Sequence, residues 1–143
     1  MATGPTPDLA GLRQEIRACH DAFIGAHVRN QPGFLIQDLS EDYVNVSRGE
    51  FLRQMKEEIL EMFVDYLGHT TFSECRLLKE PTIGFSNGGS VAWSIFRPKV
   101  AGAREMPDAK AISFDSTRGC LVLFERRGDR RVRIAEASNR KLS

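Results

Sequence analysis

The chain has 143 residues, 20 Lys+Arg against 19 Asp+Glu, and 41% hydrophobic residues. That length suits one domain spanning 1–143, with an ordered core at about 8–139 that needs no disulfide or metal staple. The near-zero net charge argues against nucleic acid or an anionic membrane as partner, and no run approaches the ~20 apolar residues of a membrane span. The stretch Met1 to Ala10 is polar and carries no apolar signal-peptide core. Cys19, Cys75 and Cys120 are widely spaced, with no C-x-x-C and no zinc-like Cys/His spacing. A reducing, cytoplasmic setting is the simplest reading, and neither a metal nor a cofactor is expected.

Helical periodicity comes first. Thr6-Pro7-Asp8 reads as a cap, an N1 proline and an acidic first turn. Leu9, Leu12, Ile16, Cys19, His20, Phe23 and His27 then mark one helix face, until Asn30 and Pro32-Gly33 stop it. Phe34 to Leu39 has the spacing of a short second helix, and Tyr43 to Val46 that of a short strand. Ser47-Arg48-Gly49-Glu50 has the capping-box pattern, which predicts a third helix carrying Phe51, Leu52, Met55, Ile59, Met62, Phe63 and Tyr66. Gly68 is placed to end that helix in the left-handed conformation.

After Gly68 the period changes to two. Candidate strands are Thr71 to Lys79, Thr82 to Ser86, Ser90 to Lys99, Ala111 to Arg126 and Arg131 to Ser138. Asn87-Gly88-Gly89 and Arg127-Gly128-Asp129 are hairpin signals, and Gly102 to Asp108 reads as an exposed loop. Helices followed by a long meander predict an α+β domain, in which a curved antiparallel sheet wraps a helix and encloses a cone-shaped pocket.

This order of elements resembles the nuclear transport factor 2-like (NTF2-like, cystatin-like) superfamily. The carriers are His20-Asp21-Ala22-Phe23, Ser40-Glu41-Asp42-Tyr43 entering a strand, Arg48-Gly49-Glu50-Phe51-Leu52, the Gly88-to-Trp93 hairpin and the terminal Glu136-Ala137-Ser138-Asn139. Within it the chain is most similar to the polyketide-cyclase-like (SnoaL-like) branch of small bacterial proteins. The resemblance implies a cone of N-terminal helices on a curved sheet, a homodimer joined through the sheet, and a pocket between the sheet and the first and third helices. Positions that carry an oxyanion-holding tyrosine and two acids in enzymes of the superfamily fall here at Phe23, Ser47 and Cys120. Those residues cannot together perform that chemistry. Tyr43-x-Asn45 matches the water-positioning pair of the epoxide-hydrolase relatives, without their Arg-x-Asp.

The candidate ligand-binding residues are therefore His20, Phe23, Tyr43, Asn45 and Trp93. His20 has a side chain suited to acid–base work near neutrality, and Tyr43 and Trp93 each pair an apolar body with a polar tip. Cys120 reads as an inert thiol, and the arginines of the last hairpin as a solvated turn diluted by Glu125 and Asp129. The leading expectation is a homodimer binding a small, largely hydrophobic molecule, with its activity unassigned. The alternatives are a lyase, isomerase or hydrolase using His20 and Tyr43, and a dimerisation module with no ligand.

Overall fold

A computed structural model describes residues 8–141. Helix α1 (Leu9–Val28) starts where the Asp8 carboxylate accepts the Gly11 amide at 2.9 Å, satisfying one free helix donor. The expected Thr6 cap and Pro7 lie outside the described residues. The far end is a Schellman arrangement. Asn30 takes φ 54°, and the Asn30 and Gln31 amides donate to the His27 and Ala26 carbonyls at 3.3 and 2.8 Å. Pro32 then opens α2 (Pro32–Ile36), which is shorter than expected because Leu39 already begins β1 (Leu39–Ser47).

The capping-box expectation fails at the next step. Arg48 and Gly49 both have positive φ, 54° and 80°, so they form a two-residue hairpin turn rather than a first helical turn. Ser47 and Glu50 become cross-strand partners of β1 and β2 (Glu50–Arg53). Phe51 and Leu52 are left on β2, with Phe51 74% exposed. Helix α3 (Lys56–Gly68) starts only after Met55, and Gly68 is its last helical residue rather than a left-handed terminator.

The remaining strands are β3 (Thr70–Leu77), β4 (Thr82–Phe85), β5 (Val91–Phe96), β6 (Pro98–Met106), β7 (Ala109–Arg127) and β8 (Arg130–Arg140). Both glycine hairpin signals hold, with Gly88, Gly89 and Gly128 at positive φ. The expected Gly102–Asp108 loop is mostly strand, and only Pro107 and Asp108 lie between β6 and β7. The sheet runs β2-β1-β8-β7-β5-β4, with β6 also on β7 and β3 on β6. It is mixed rather than antiparallel throughout, because β1 pairs parallel to β8. No hairpin joins those two strands, so nothing local imposes an antiparallel pairing.

The helices pack on one face of this sheet. Ile16 of α1 meets Ile83, Ala92, Val122 and Phe124, while Ala26, Leu35 and Leu67 tie α1 and α2 to α3. Leu39, Tyr43 and Ile59 join β1 to α3. Alternation along β5 and β7 sends Ala92, Ser94, Cys120, Val122 and Phe124 into this inner face. On β8 the alternation is broken. Leu123 pairs with Ala135 but Phe124 with Arg133, which leaves Ile134 as a bulge.

Candidate functional site

His20 lies on the α1 face that meets the sheet and is 6% exposed. Its Nε2 is 2.7 Å from Ser94 Oγ, and its ring centroid is 4.4 Å from that of Phe96. Burial first, then the Arg17 charge, brings its pKa down to about 4, so the imidazole is neutral at neutral pH. His27 stands near the C-terminal end of the same helix. Its Nδ1–H donates to the Phe23 carbonyl at 2.8 Å, which leaves Nε2 with the lone pair of the neutral ring. Burial lowers its pKa as well, and its ring meets the edge of Phe63 at 5.9 Å.

Tyr43 is 4% exposed and donates its phenolic hydrogen to Glu136 Oε2 at 3.0 Å. Burial, reinforced by the Glu136 charge, pushes its pKa far up, so the phenol keeps its proton. Asn45 lies on the same face of β1 and is the direct strand partner of Glu136. Its Oδ1 is buried with no hydrogen-bond partner.

Arg133, with its side chain 12% exposed, knits this group together. It donates to Asp38 Oδ1 at 3.0 Å and to the Leu35 carbonyl at 2.6 Å, and lies 3.4 Å from Glu136 Oε2. Its guanidinium stacks 4.6 Å from the centre of the half-buried Phe23 ring. Burial opposes its charge, but Asp38 and Glu136 outweigh burial and hold its pKa above the ordinary value. One guanidinium between two ionised carboxylates leaves the cluster with a net negative charge.

The structure thus brings Phe23, Tyr43 and Asn45 together around Glu136 and Arg133. His20 lies on the same side of the sheet, two strands away on β5 through Ser94. Trp93 is not part of this set. A Cβ on Gly84, its strand partner, would meet the Trp93 ring at 2.3 Å, so the indole lies over Gly84. Ser94, the next residue, faces inward, and Trp93 therefore occupies the opposite face. The sequence reading missed Arg133, Glu136, Asp38 and Ser94 as site residues. Strict alternation puts Arg133 and Glu136 on opposite faces of the last strand, and only the bulge at Ile134 aligns them.

Cys120 faces inward, and burial pushes its thiol up to about 12, so it is not an activated nucleophile. Among the described residues no His, Cys, Asp and Glu side chains group closely enough to hold a metal ion. None of the described helices is long and apolar enough to cross a membrane. Two cavities, of about 140 and 770 Å³, are lined by other residues than His20, Phe23, Tyr43 and Asn45.

No protein-family model and no curated protein sequence matches the chain. Solved structures do match in shape. An NTF2-like superfamily protein from Salmonella enterica is 15% identical, with a TM-score of 0.75 and 94% of each chain covered. An NTF2-like protein from Cytophaga hutchinsonii is 16% identical, with a TM-score of 0.69, covering 89% of this chain and 96% of that one. A ketosteroid isomerase-like protein from Erwinia carotovora is 14% identical, with a TM-score of 0.64 and coverages of 88% and 93%. With the element order and curved mixed sheet described above, these likenesses give the chain the NTF2-like, cystatin-like α+β fold.

Proposed function

We propose that the protein, as one domain over 1–143, binds a small, mostly apolar molecule under α1 and α3. His20, Phe23, Tyr43 and Asn45 would be among its contacts, with Glu136 at the polar end. The observation that carries this reading is the Asn45 amide oxygen, buried without a donor beside Glu136. Leaving such an acceptor unpaired costs about 1–3 kcal/mol, which favours a donor arriving from outside the chain. The surroundings favour the same partner. The cluster is net negative, and Asn45 Oδ1 and His27 Nε2 are both acceptors. The ligand class is therefore an apolar body carrying a hydroxyl or amine.

Thermal-shift and NMR titration with small cyclic alcohols and amines tests this. Saturable binding should vanish in Asn45→Leu and survive in Trp93→Phe. Binding that ignores Asn45→Leu would contradict the proposal.

A second reading, a lyase, isomerase or hydrolase, is favoured by the pairing of a protonated phenol with a carboxylate 3.0 Å away. One relative in shape is described as ketosteroid isomerase-like. Tyr43 would donate to a developing oxyanion, and His20 or Glu136 would move the proton. His20 is less suited to that role than the sequence alone suggests, because its Nε2 is already engaged by Ser94. Tyr43→Phe and Glu136→Gln should each abolish turnover while the fold survives.

The proposed assembly is a homodimer. Phe51 and Leu52 on the edge strand β2, 74% and 52% exposed, give a second copy an apolar surface to cover. The proposed location is the cytoplasm, supported by three cysteines that are all free.

A further inference from the structure

The cluster under the helices leaves one end of the sheet unexplained. There β1, β5, β7 and β8 border a trough of about 770 Å³. No residue of α1 or α3 lines it, which puts it on the sheet face turned away from the helices. Its apolar floor is one row of directly paired residues, Val46 beside Ala137, Ala137 beside Leu121 and Leu121 beside Ile95. Arg48, Arg97, Arg118 and Arg140 also line the trough, and no Asp or Glu does. None of these four forms an ion pair among the described residues.

Two of the four stand directly opposite each other, Arg118 on β7 against Arg140 on β8. Like charges in that position are unfavourable. In a chain whose net charge is only +1, four unpaired cations around one cavity are a local concentration of charge. We propose that the trough binds an amphiphilic organic anion. A single carboxylate or phosphate head lies among the arginines, and an aliphatic or aromatic body lies on the Val46–Ala137–Leu121–Ile95 floor. Guanidinium forks match oxyanion geometry, and the volume falls in the range of ligand sites. A second copy laid on the same trough would bring four more arginines and no carboxylate from the lining to meet them. This site is separate from the one under the helices.

The test titrates octanoate and octyl phosphate into the full chain, with octanol, octylamine and inorganic phosphate as controls. Calorimetry gives the affinity. Trp93, the chain's single tryptophan, shares the trough's sheet face and gives a fluorescence readout. Saturable binding is expected for the two amphiphilic anions alone. The double variant Arg118→Gln/Arg140→Gln should weaken it at least tenfold, and its ligand-free form should melt no lower than the parent, because an opposed charge pair is relieved. Equal binding of octanol or octylamine, or unchanged affinity in the double variant, would overturn the proposal. Inorganic phosphate binding as tightly as octyl phosphate would overturn the role of the floor. A chain that self-associates through the trough, turns monomeric on Leu121→Asp and takes up no anion would overturn it as well.

Discussion

Replacing Arg133 by Met probes the polar cluster most sharply. The unbranched apolar stem can still lie against Phe23, but the charge and every donor are lost. Asp38 and Glu136, both mostly buried, then lose their shared counter-ion, and the Leu35 carbonyl loses a 2.6 Å donor. Removing one partner of a buried pair costs on the order of 3–5 kcal/mol, since the remaining charge is left uncompensated. Both carboxylates keep some solvent contact, so the lower end, about 3 kcal/mol, is expected. For a chain of this size that is roughly 10 °C in Tm. Urea unfolding of Arg133→Met, Glu136→Gln and the double variant supplies the cycle. The double variant should be less destabilised than the sum of the singles by at least about 1 kcal/mol, because the two side chains act on each other. A loss below about 1 kcal/mol, the range of an exposed ion pair, or strict additivity, would refute a cluster held by Arg133.

Other outcomes follow from single sites. Burial holds His20 at about 4 in the folded chain, below its unperturbed value of about 6.5. The unfolded chain therefore takes up this proton first, so stability is complete above about pH 6.5 and falls as pH drops towards about 4, by on the order of 3 kcal/mol. Urea midpoints at two pH values in that window check it, and His20→Gln should flatten the slope. Gly84→Ala would drive a methyl into the Trp93 ring and should cost about 1–3 kcal/mol with a shifted Trp93 emission maximum. Cys120, with its thiol pushed up to about 12, should resist a disulfide reagent at neutral pH until the chain unfolds. Phe51→Glu/Leu52→Glu should turn the proposed dimer into a monomer in sedimentation velocity, and an unchanged oligomer would remove β2 from the interface.

Period and spacing carried the sequence reading as far as local rules reach. The 3.6 repeat gave α1 and its inward residues His20 and Phe23, and period two gave the inward pair Tyr43 and Asn45. Three features lay beyond local pattern. Ser-x-x-Glu fits a capping box and a two-residue hairpin alike, and the positive φ of Arg48 and Gly49 selects the hairpin. The parallel pairing of β1 with β8 joins residues about ninety positions apart, which no neighbouring turn announces. The bulge at Ile134 changes which face Arg133 occupies, so the charged centre of the cluster was hidden by the alternation rule that found its neighbours. Trp93 failed for the reverse reason: it looked suited to a ligand, yet alternation from buried Ser94 puts it on the far face.

The most direct test of the proposed function is native mass spectrometry of freshly purified protein, followed by denaturing extraction of whatever is bound. A discrete organic adduct bearing a hydroxyl or amine, absent from Asn45→Leu and Glu136→Gln but retained by Arg118→Gln/Arg140→Gln, is the predicted result. An adduct that survives Asn45→Leu and Glu136→Gln, or a bare chain that also binds none of the titrated alcohols and amines, would contradict a ligand site built on Tyr43, Asn45 and Glu136.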